Sequence, residues 1–186
     1  MTELKDGISC MDSLGASVGF KTGDKIISVD GKPIVYFDDL RIEILLGHTV
    51  QVDRNGEKVE IALPQDFVDQ IAKTENFSFI SSRMPAYFLG FPDSSINKGA
   101  PLVVGDKIVG INDSIKFKYH DQLMEELKYH KNENVTLNIL RKGQEVRVPI
   151  KISAKGKMEL GIANKYDDIE ALGGFTYERK KYGFFE

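Results

Sequence analysis

Hydrophobic and polar residues alternate along two stretches of the chain, residues 50–63 and residues 135–150. Each stretch is interrupted near its middle by a dipeptide that ends in glycine, Asn55-Gly56 in the first and Lys142-Gly143 in the second. Alternation around such a turn predicts a β-hairpin with one apolar face. The apolar residues on the predicted inner faces are Val50, Val52, Val59, Ile61 and Leu63 in the first hairpin, and Val135, Leu137, Ile139, Val146, Val148 and Ile150 in the second.

A nine-residue pattern that precedes each hairpin is also repeated. The stretch Gly23–Gly31 contains a Gly-Asp pair followed by an apolar run, and Gly105–Asp113 repeats it 82 positions later. Within the first copy, Lys25–Val29 predicts a buried strand that is closed by a tight turn at Asp30-Gly31. A repeat of about 80 residues is too long for a solenoid unit and suits a small autonomous domain. The chain is therefore predicted to contain two tandem domains.

A short helix is predicted before the buried strand of the first repeat. Ser13 is suited to cap its first turn, and Gly19 can adopt the left-handed conformation that ends such a helix. In the second repeat Ser95 takes the place of Ser13, and Pro101 takes the place of Gly19. Because proline cannot adopt a positive φ angle, the second short helix is predicted to end differently.

A longer helix is predicted between the buried strand and the hairpin. Asp38 or Asp39 is suited to cap its first turn, Leu40 and Ile44 lie one turn apart on the same face, and Gly47 follows its predicted end. The corresponding apolar pair of the second repeat is Leu123 and Leu127.

The composition limits the classes of partner. The chain has 186 residues, of which 41% are hydrophobic, enough for two modest cores. Its 25 Lys and Arg are scattered among 28 Asp and Glu, for a net charge of −3, so no broad basic face is expected and nucleic acid is not predicted as a partner. The most apolar stretch, Leu40–Leu46, contains Arg41 and Glu43, so no membrane span or signal peptide is predicted.

No catalytic constellation is found. The three histidines, which are not paired at helical spacing and are expected to be packed or solvated, are His48, His120 and His130. Cys10 has no histidine near it in sequence and is expected to be a buried, inert thiol; as a single cysteine it leaves the compartment open. The acidic pairs Asp38-Asp39 and Asp167-Asp168 are attributed to capping and solvated loops. The chain is predicted to carry no catalytic residue and no metal site.

The order of these elements, together with the sequence motif Gly23-Asp24-Lys25-Ile26, resembles that of a PDZ domain. Bacterial members of that family carry a strand ending in Leu-Gly-Ile that forms one wall of the peptide groove, and Leu160-Gly161-Ile162 follows the second hairpin here. A wall strand that follows its own domain is a circular permutation of the order in animal PDZ domains. The resemblance implies an α+β, mostly β fold: two tandem circularly permuted PDZ domains, each a small partly open β-barrel or sandwich with two helices.

A PDZ groove lies between the wall strand and the second helix, where an extended segment adds a strand. The resemblance therefore implies a set of groove residues, although the same apolar residues would equally suit a core. In the first domain they are Phe77, Ser78, Phe79, Ile80, Leu40 and Ile44, and in the second Leu160, Gly161, Ile162, Leu123, Met124 and Leu127. His120 takes roughly the place of a histidine that selects hydroxyl-bearing ligands in animal PDZ domains.

A permuted PDZ pair resembles the region between transmembrane segments in bacterial site-2 proteases of the RseP type, which are intramembrane zinc metalloproteases that cleave anti-sigma factors. The segment Tyr177–Glu186 is similar to the one that leads that family back into the membrane. The implied domains are residues 1–81, residues 82–164 and a C-terminal segment, 165–186, leading toward a membrane helix. The His-Glu-x-x-His motif of those proteases does not occur in this sequence, so zinc is expected in a parent protease and not in this chain.

The resemblance implies a regulatory module on the periplasmic side of a bacterial inner-membrane protein. Such a module would control the access of membrane-anchored substrates, such as trimmed anti-sigma factors, to the active site by size exclusion, with or without binding of their C-terminal tails. A freestanding tandem PDZ adaptor or chaperone module is the alternative. A third possibility, PDZ domains appended to a trypsin-like periplasmic protease, fits less well because those domains are not followed by their wall strand.

Overall fold

A computed structural model of the protein describes residues 6–10, 12–74 and 79–174. The described residues up to Arg83 form one unit, and those from Met84 onward form a second. The predicted domain boundary, between residues 81 and 82, lies two residues before this division.

The first unit combines three helices with six strands. In chain order they are β1 Ile8–Ser9, α1 Ser13–Val18, β2 Lys25–Val29, β3 Lys32–Pro33, α2 Phe37–Leu46, β4 Thr49–Arg54, β5 Glu57–Ala62, α3 Phe67–Thr74 and β6 Ser81–Ser82. Strands β3, β2, β4 and β5 are neighbours in that order, and β1 pairs with β6. The backbone of Ile8 exchanges hydrogen bonds with Gly23 and Asp24, which continues the hydrogen-bonded path from β2 to β1.

The second unit repeats most of this plan. Its elements are β7 Ala86–Gly90, β8 Lys107–Ile111, β9 Ile115–Lys116, α4 His120–Glu126 with a 3-10 turn at Leu127–Tyr129, β10 Asn134–Arg141, β11 Gln144–Lys151, β12 Gly161–Ile162 and α5 Tyr166–Ala171. The strand order is β11-β10-β8-β7-β12, with β9 also paired to β8. Phe88 bonds to Gly105 and Asp106 as Ile8 does to Gly23 and Asp24. The two units therefore share one hydrogen-bonding scheme.

Both predicted hairpins are confirmed with their predicted facing residues. In the first, Val50 pairs with Ile61 and Val52 with Val59, and the turn at Asn55-Gly56 has positive φ angles of 55° and 91°. The pairs in the second hairpin are Val135 with Ile150, Leu137 with Val148 and Ile139 with Val146. One face of each hairpin lies against the core of its own unit.

The predicted helix starts are displaced, because other residues begin each helix. Asp12, not Ser13, caps α1, and its carboxylate accepts a hydrogen bond of 2.7 Å from the Leu14 amide. Helix α2 begins at Phe37 after Tyr36, which gives no side-chain cap, so neither Asp38 nor Asp39 is the N-cap. The short helix predicted for the second repeat is wrong, because residues 93–100 form turns where α1 stands in the first unit. Pro101, in the place of Gly19, cannot supply the left-handed residue that ends α1.

Each unit has its own hydrophobic core, which is formed by the inner faces of the strands and of the longer helix. Leu40 and Ile44 of α2 belong to the first core, and Leu123 and Leu127 to the second. The described helices are all too short or too polar to cross a membrane. The fold is α+β with sheets predominating, and the described strands form open sheets with no closed barrel; this architecture fits a PDZ-like fold.

Candidate functional site

Strand β12 lies at the end of the sheet of the second unit. It pairs with β7 through Gly161 opposite Gly90 and Ile162 opposite Phe88. A Cβ atom at Gly161 would lie 3.0 Å from the Gly90 carbonyl oxygen, so glycine permits the close approach of the two strands. Among the described strands nothing pairs with the other side of β12. That side offers backbone groups to which an extended segment could bind.

Partly exposed apolar side chains occur in the β12 segment and on α4. Leu160 and Ile162 from the β12 segment and Met124 from α4 all pack against the second core while keeping part of their surface in water. Apolar surface beside an unpaired strand edge suits a ligand that adds a strand and inserts alternate side chains. This combination makes the β12 edge a candidate peptide site.

His120 begins helix α4. Its backbone amide donates a hydrogen bond of 2.7 Å to the Met84 carbonyl oxygen, which fixes the start of the helix. Burial lowers the pKa of the imidazole below its usual value, and the neighbouring Asp121 carboxylate opposes this shift only in part. At neutral pH the ring is therefore uncharged and can both donate and accept a hydrogen bond.

The matching edge of the first unit is more polar. Strand β6 pairs with β1 through Ser82 opposite Ile8 and Ser81 opposite Ser9, so Ile80, Ser81 and Ser82 take the places of Leu160, Gly161 and Ile162. The predicted wall, Phe77–Ile80, precedes this strand. Within that segment the Phe79 ring is buried in the core against Phe67, with ring centroids 5.2 Å apart. The strand itself begins after Ile80.

Arg41 extends from α2 toward this edge. Its Nη2 donates a hydrogen bond of 3.4 Å to the Ile80 carbonyl oxygen, and its guanidinium carbon lies 5.5 Å from the centre of the Phe37 ring. In the register of the two helices that aligns Leu40 with Leu123, Arg41 takes the place of Met124. The first unit thus carries a cation where the second carries a thioether.

The predicted groove residues fall into three groups. Nearly complete burial in the cores is shared by Leu40, Ile44, Phe79, Ile80, Leu123 and Leu127. Partial exposure is shared by His120, Met124, Leu160, Gly161 and Ile162. Phe77 and Ser78 lie outside the described residues. The assignment of these residues to peptide grooves stays a prediction, and the second group contains those whose surface a ligand could touch in the structure as it stands.

Sequence reasoning missed a buried ion pair that occurs in both units. Arg54 donates from Nε and Nη2 to the carboxylate of Asp24, each at 2.8 Å, and Arg141 binds Asp106 in the same way at 2.8 and 2.7 Å. The same Nη2 atoms also donate to backbone carbonyl oxygens, that of Arg54 to Gly19 and that of Arg141 to Pro101. The recurrence of an aspartate and an arginine at matching places in both repeats was the available signal.

Two further titratable side chains have shifted pKa values. Burial, reinforced by Asp24 and Asp12, raises the pKa of the Cys10 thiol to about 11, which keeps it protonated at neutral pH. His130 lies between Glu126 and Glu133, with ring nitrogens 3.0 and 2.7 Å from their carboxylates. Within residues 6–10, 12–74 and 79–174, no group of three or more His, Cys, Asp or Glu side chains is arranged to hold a metal ion.

Comparison with known proteins gives a partial relationship to a protein named as a zinc metalloprotease. No protein family profile matches the chain. A Rhizobium meliloti protein named "putative zinc metalloprotease" is 36% identical over 56 residues, which cover 28% of this chain and 15% of that protein. The matched stretch is a small part of that relative, and the chain is similar over this stretch to a protein named as a zinc metalloprotease.

Proposed function

We propose that the chain is a pair of circularly permuted PDZ domains that regulates an intramembrane zinc metalloprotease of the site-2, RseP type. The module would lie on the periplasmic side of the inner membrane and limit which membrane-anchored substrates, such as trimmed anti-sigma factors, reach the active site. Zinc and the catalytic residues would belong to the parent protease. The 36% identity with a protein named as a zinc metalloprotease supports this association, although it spans only 56 residues.

The observation that carries the proposal is the unpaired edge of β12. Strand β12 ends its sheet, and its partly exposed Ile162, with Leu160 before it, provides apolar surface in this segment. Each unit repeats this arrangement. A short strand, β6 in the first unit and β12 in the second, ends the hydrogen-bonded path that starts at the hairpin. The strand that ends each path is the last described strand of its unit, which supports a permuted order.

Size exclusion is the simpler of the two mechanisms. Two folded units placed before an active site would exclude a substrate whose extracytoplasmic part is itself folded, and would admit a short tail. Binding of the tail along β12 would add affinity through backbone hydrogen bonds, and apolar side chains of the tail would contact Leu160 and Ile162.

The test uses the full gene product that contains these residues, reconstituted in vesicles with zinc. Two single-span substrates are compared, one with a folded extracytoplasmic domain and one with a short tail. We expect cleavage of the short-tailed substrate alone, and cleavage of both after residues 6–174 are replaced by a flexible glycine-serine linker. Equal cleavage of both substrates by the unaltered protein would contradict the gate, and zinc-dependent cleavage of neither would contradict the association with a protease.

An adaptor is the second candidate, and the unpaired edge of β12 is the observation that favours it. The isolated chain is titrated with peptides that have free C-termini. A gate predicts weak binding or none, whereas submicromolar affinity would favour a freestanding peptide receptor. Ile162→Asp in the same titration identifies whether any binding uses β12.

A further inference from the structure

The sheet of the second unit carries a pocket on the side that faces away from the core. The pocket has a volume of about 790 Å³, within the range of small-molecule sites. Val109 and Leu140, whose chain neighbours Ile108 and Ile139 belong to the core, are part of its lining. The segment 116–119, which leads from β9 into α4, also lines it. None of the described residues that line the pocket belongs to β12, so it is not the candidate peptide edge.

The segment 116–119 is held in place by hydrogen bonds within the unit. The Phe117 amide donates to the Val109 carbonyl oxygen at 2.9 Å. The Oε1 atom of Gln122 accepts from the amides of Lys118 and Tyr119 at 3.0 and 3.1 Å. This part of the pocket is therefore fixed by the fold, which lowers the ordering cost of binding a small molecule.

Positive charge is concentrated in this pocket. The chain as a whole has a net charge of −3, whereas the four cationic and two anionic side chains that line the pocket give it a net charge of +2. These side chains are Lys107, Lys116, Lys118, Arg147, Asp113 and Glu145. Arg147 forms an ion pair with Asp113, so an anionic ligand would compete with that carboxylate. Cations gathered around a concave surface attract an anion.

A row of paired residues across the sheet brings two of the cations together. The row consists of Lys116, Gly110, Asn138 and Arg147 on the successive strands β9, β8, β10 and β11. Directly paired residues direct their side chains to the same face, and the glycine leaves a gap within the row. Neighbouring strands are about 4.8 Å apart, so the row is about 14 Å long. The long side chains of Lys116 and Arg147 can therefore reach one anion from its two ends.

The first unit has a smaller pocket at the matching place, without this charge. Its volume is about 320 Å³, and Glu60 is the single charged residue among the described residues that line it. Strand pairing places Pro33 where the second unit has Lys116, and Glu60 where it has Arg147. The shared fold therefore does not require a cationic pocket, and the charge is specific to the second unit.

The chemistry of the lining favours a phosphate monoester. Such a group carries a charge of about −1.5 to −2 at pH 7, which matches the net charge of the pocket. Arginine binds phosphate through two parallel hydrogen bonds, and lysine binds it as a point charge. Val109 and Leu140 provide apolar surface for the organic part of the ester, which inorganic phosphate lacks.

We propose that this pocket is a binding site for a phosphate monoester, carried either by a soluble small molecule or by a lipid headgroup. Arg147 and Lys116 bind the phosphate, and the organic part lies against Val109 and Leu140. The site goes beyond the proposed regulation of a protease and does not depend on peptide binding, so either proposal can fail without the other.

The test is an amide NMR titration of the whole chain at constant ionic strength. Phenyl phosphate carries the monoester and an apolar ring, phenyl sulfate has the same shape with a single negative charge, and inorganic phosphate lacks the ring. We expect saturable shifts at amides of β8–β11 and of the segment 116–119. Phenyl phosphate should bind roughly 10-fold more tightly than either of the other two probes.

Variants separate the pocket from general electrostatics. Arg147→Glu, which copies the first unit, and Lys116→Gln should each weaken phenyl phosphate binding by roughly 10-fold or more. Asp113→Asn removes the competing carboxylate and should strengthen binding. Lys151→Gln makes the same charge change as Lys116→Gln at an exposed position of β11 outside the pocket, and should leave the affinity unchanged. All four side chains are exposed, so the fold should be retained, which circular dichroism checks.

A second arm distinguishes the two sources of the ester. The chain is sedimented with vesicles of phosphatidylcholine alone and with vesicles of equal parts phosphatidylcholine and phosphatidic acid. Binding to phosphatidic acid that Arg147→Glu abolishes, without binding of phenyl phosphate, would assign the ester to a lipid. Absence of binding to every probe, or an equal loss in Lys151→Gln and Lys116→Gln, would overturn the site. Equal affinity for phenyl sulfate and phenyl phosphate would overturn the choice of a monoester.

Discussion

The two strand edges of this protein are built on the same scaffold and differ in chemistry. Leu40 and Leu123 are completely buried at matching places in α2 and α4, whereas the next residues are Arg41 in one unit and Met124 in the other. Opposite the helices, Ser82 in the first unit corresponds to Ile162 in the second. The comparison teaches that the repeated core fixes where an edge lies, while a few residues around it give the two edges different chemistry.

The Asp–Arg pairs are the feature that the units share most closely, and breaking them should have the largest effect. Asp24 is only 1% exposed, so Arg54→Ala would leave its carboxylate buried without a counter-ion. We expect the first unit to lose about 3 kcal/mol of unfolding free energy. Urea unfolding followed by amide NMR signals from each unit measures this loss.

Two matched variants test whether the loss of stability is specific to a buried Asp–Arg pair. Arg141→Ala should destabilise the second unit in the same way, because Asp106 is as buried as Asp24. Arg147→Ala, which removes an exposed ion pair with Asp113, should change little. Similar effects from Arg147→Ala and Arg141→Ala would contradict the importance assigned to the buried carboxylate.

The apolar character of the second edge should be removed by a single charge. Ile162→Asp places a carboxylate on the partly buried face of β12, where it repels an incoming apolar side chain. Binding of peptides by the second edge should fall at least 10-fold, as measured by titration, while circular dichroism shows the fold retained. Val104→Asp, at an exposed position of the same unit, is the control. Unchanged affinity in Ile162→Asp would exclude β12 as the binding edge.

Exchanging the helix residue should convert one edge toward the other. Met124→Arg places a guanidinium on α4 at the helix position that Arg41 has on α2. Display selection with this variant should show acidic residues at a position where the unaltered second edge selects apolar ones. A smaller effect is expected than for Ile162→Asp, because Leu160 and Ile162 still provide apolar surface. If the preference does not change, the difference between the edges lies in the strands and not in the helices.

A pH-dependent difference in stability is the smallest expected effect. His130 has a side chain only 14% exposed between two glutamates, whereas His48 in the first unit is 85% exposed. Hydrogen bonds to Glu133 and Glu126 raise the pKa of His130, so its contribution to stability is fully present below the pKa of an unfolded histidine and is lost as the pH rises through the folded pKa. The thermal midpoint of the second unit should therefore fall as the pH rises above about 6.5, the pKa of an unfolded histidine. His130→Gln should flatten this dependence, and an unchanged slope in that variant would assign it to another group.

Local patterns predicted the parts of the fold that depend on neighbouring residues. The Asn55-Gly56 dipeptide and the alternation around it were sufficient to predict the hairpin. Both residues adopt the positive φ angles that this turn requires. Capping was less predictable, because Asp12 and Ser13 are both good caps and only the backbone path decides between them. Strand β6 begins at Ser81, after the predicted wall, and nothing in the local pattern marked that start.

The candidate edges could be predicted only in part. The Leu160-Gly161-Ile162 sequence indicated β12, but nothing local indicated that Arg41 would reach the carbonyl of Ile80, 39 residues away in the chain. The same limit applies to Asp24 and Arg54, which are 30 residues apart. Contacts of this kind depend on how elements pack, and periodicity along the chain carries little information about them.

The Asp–Arg pair also has a consequence for how such a protein arises. Every group that the pair needs, including the backbone amide that precedes the aspartate by three residues, lies within one repeat. A gene segment that is duplicated therefore carries a complete stabilising device into the new copy. Because that device is separate from the position that Arg41 and Met124 occupy, mutation there could give the two copies different ligands without endangering either fold.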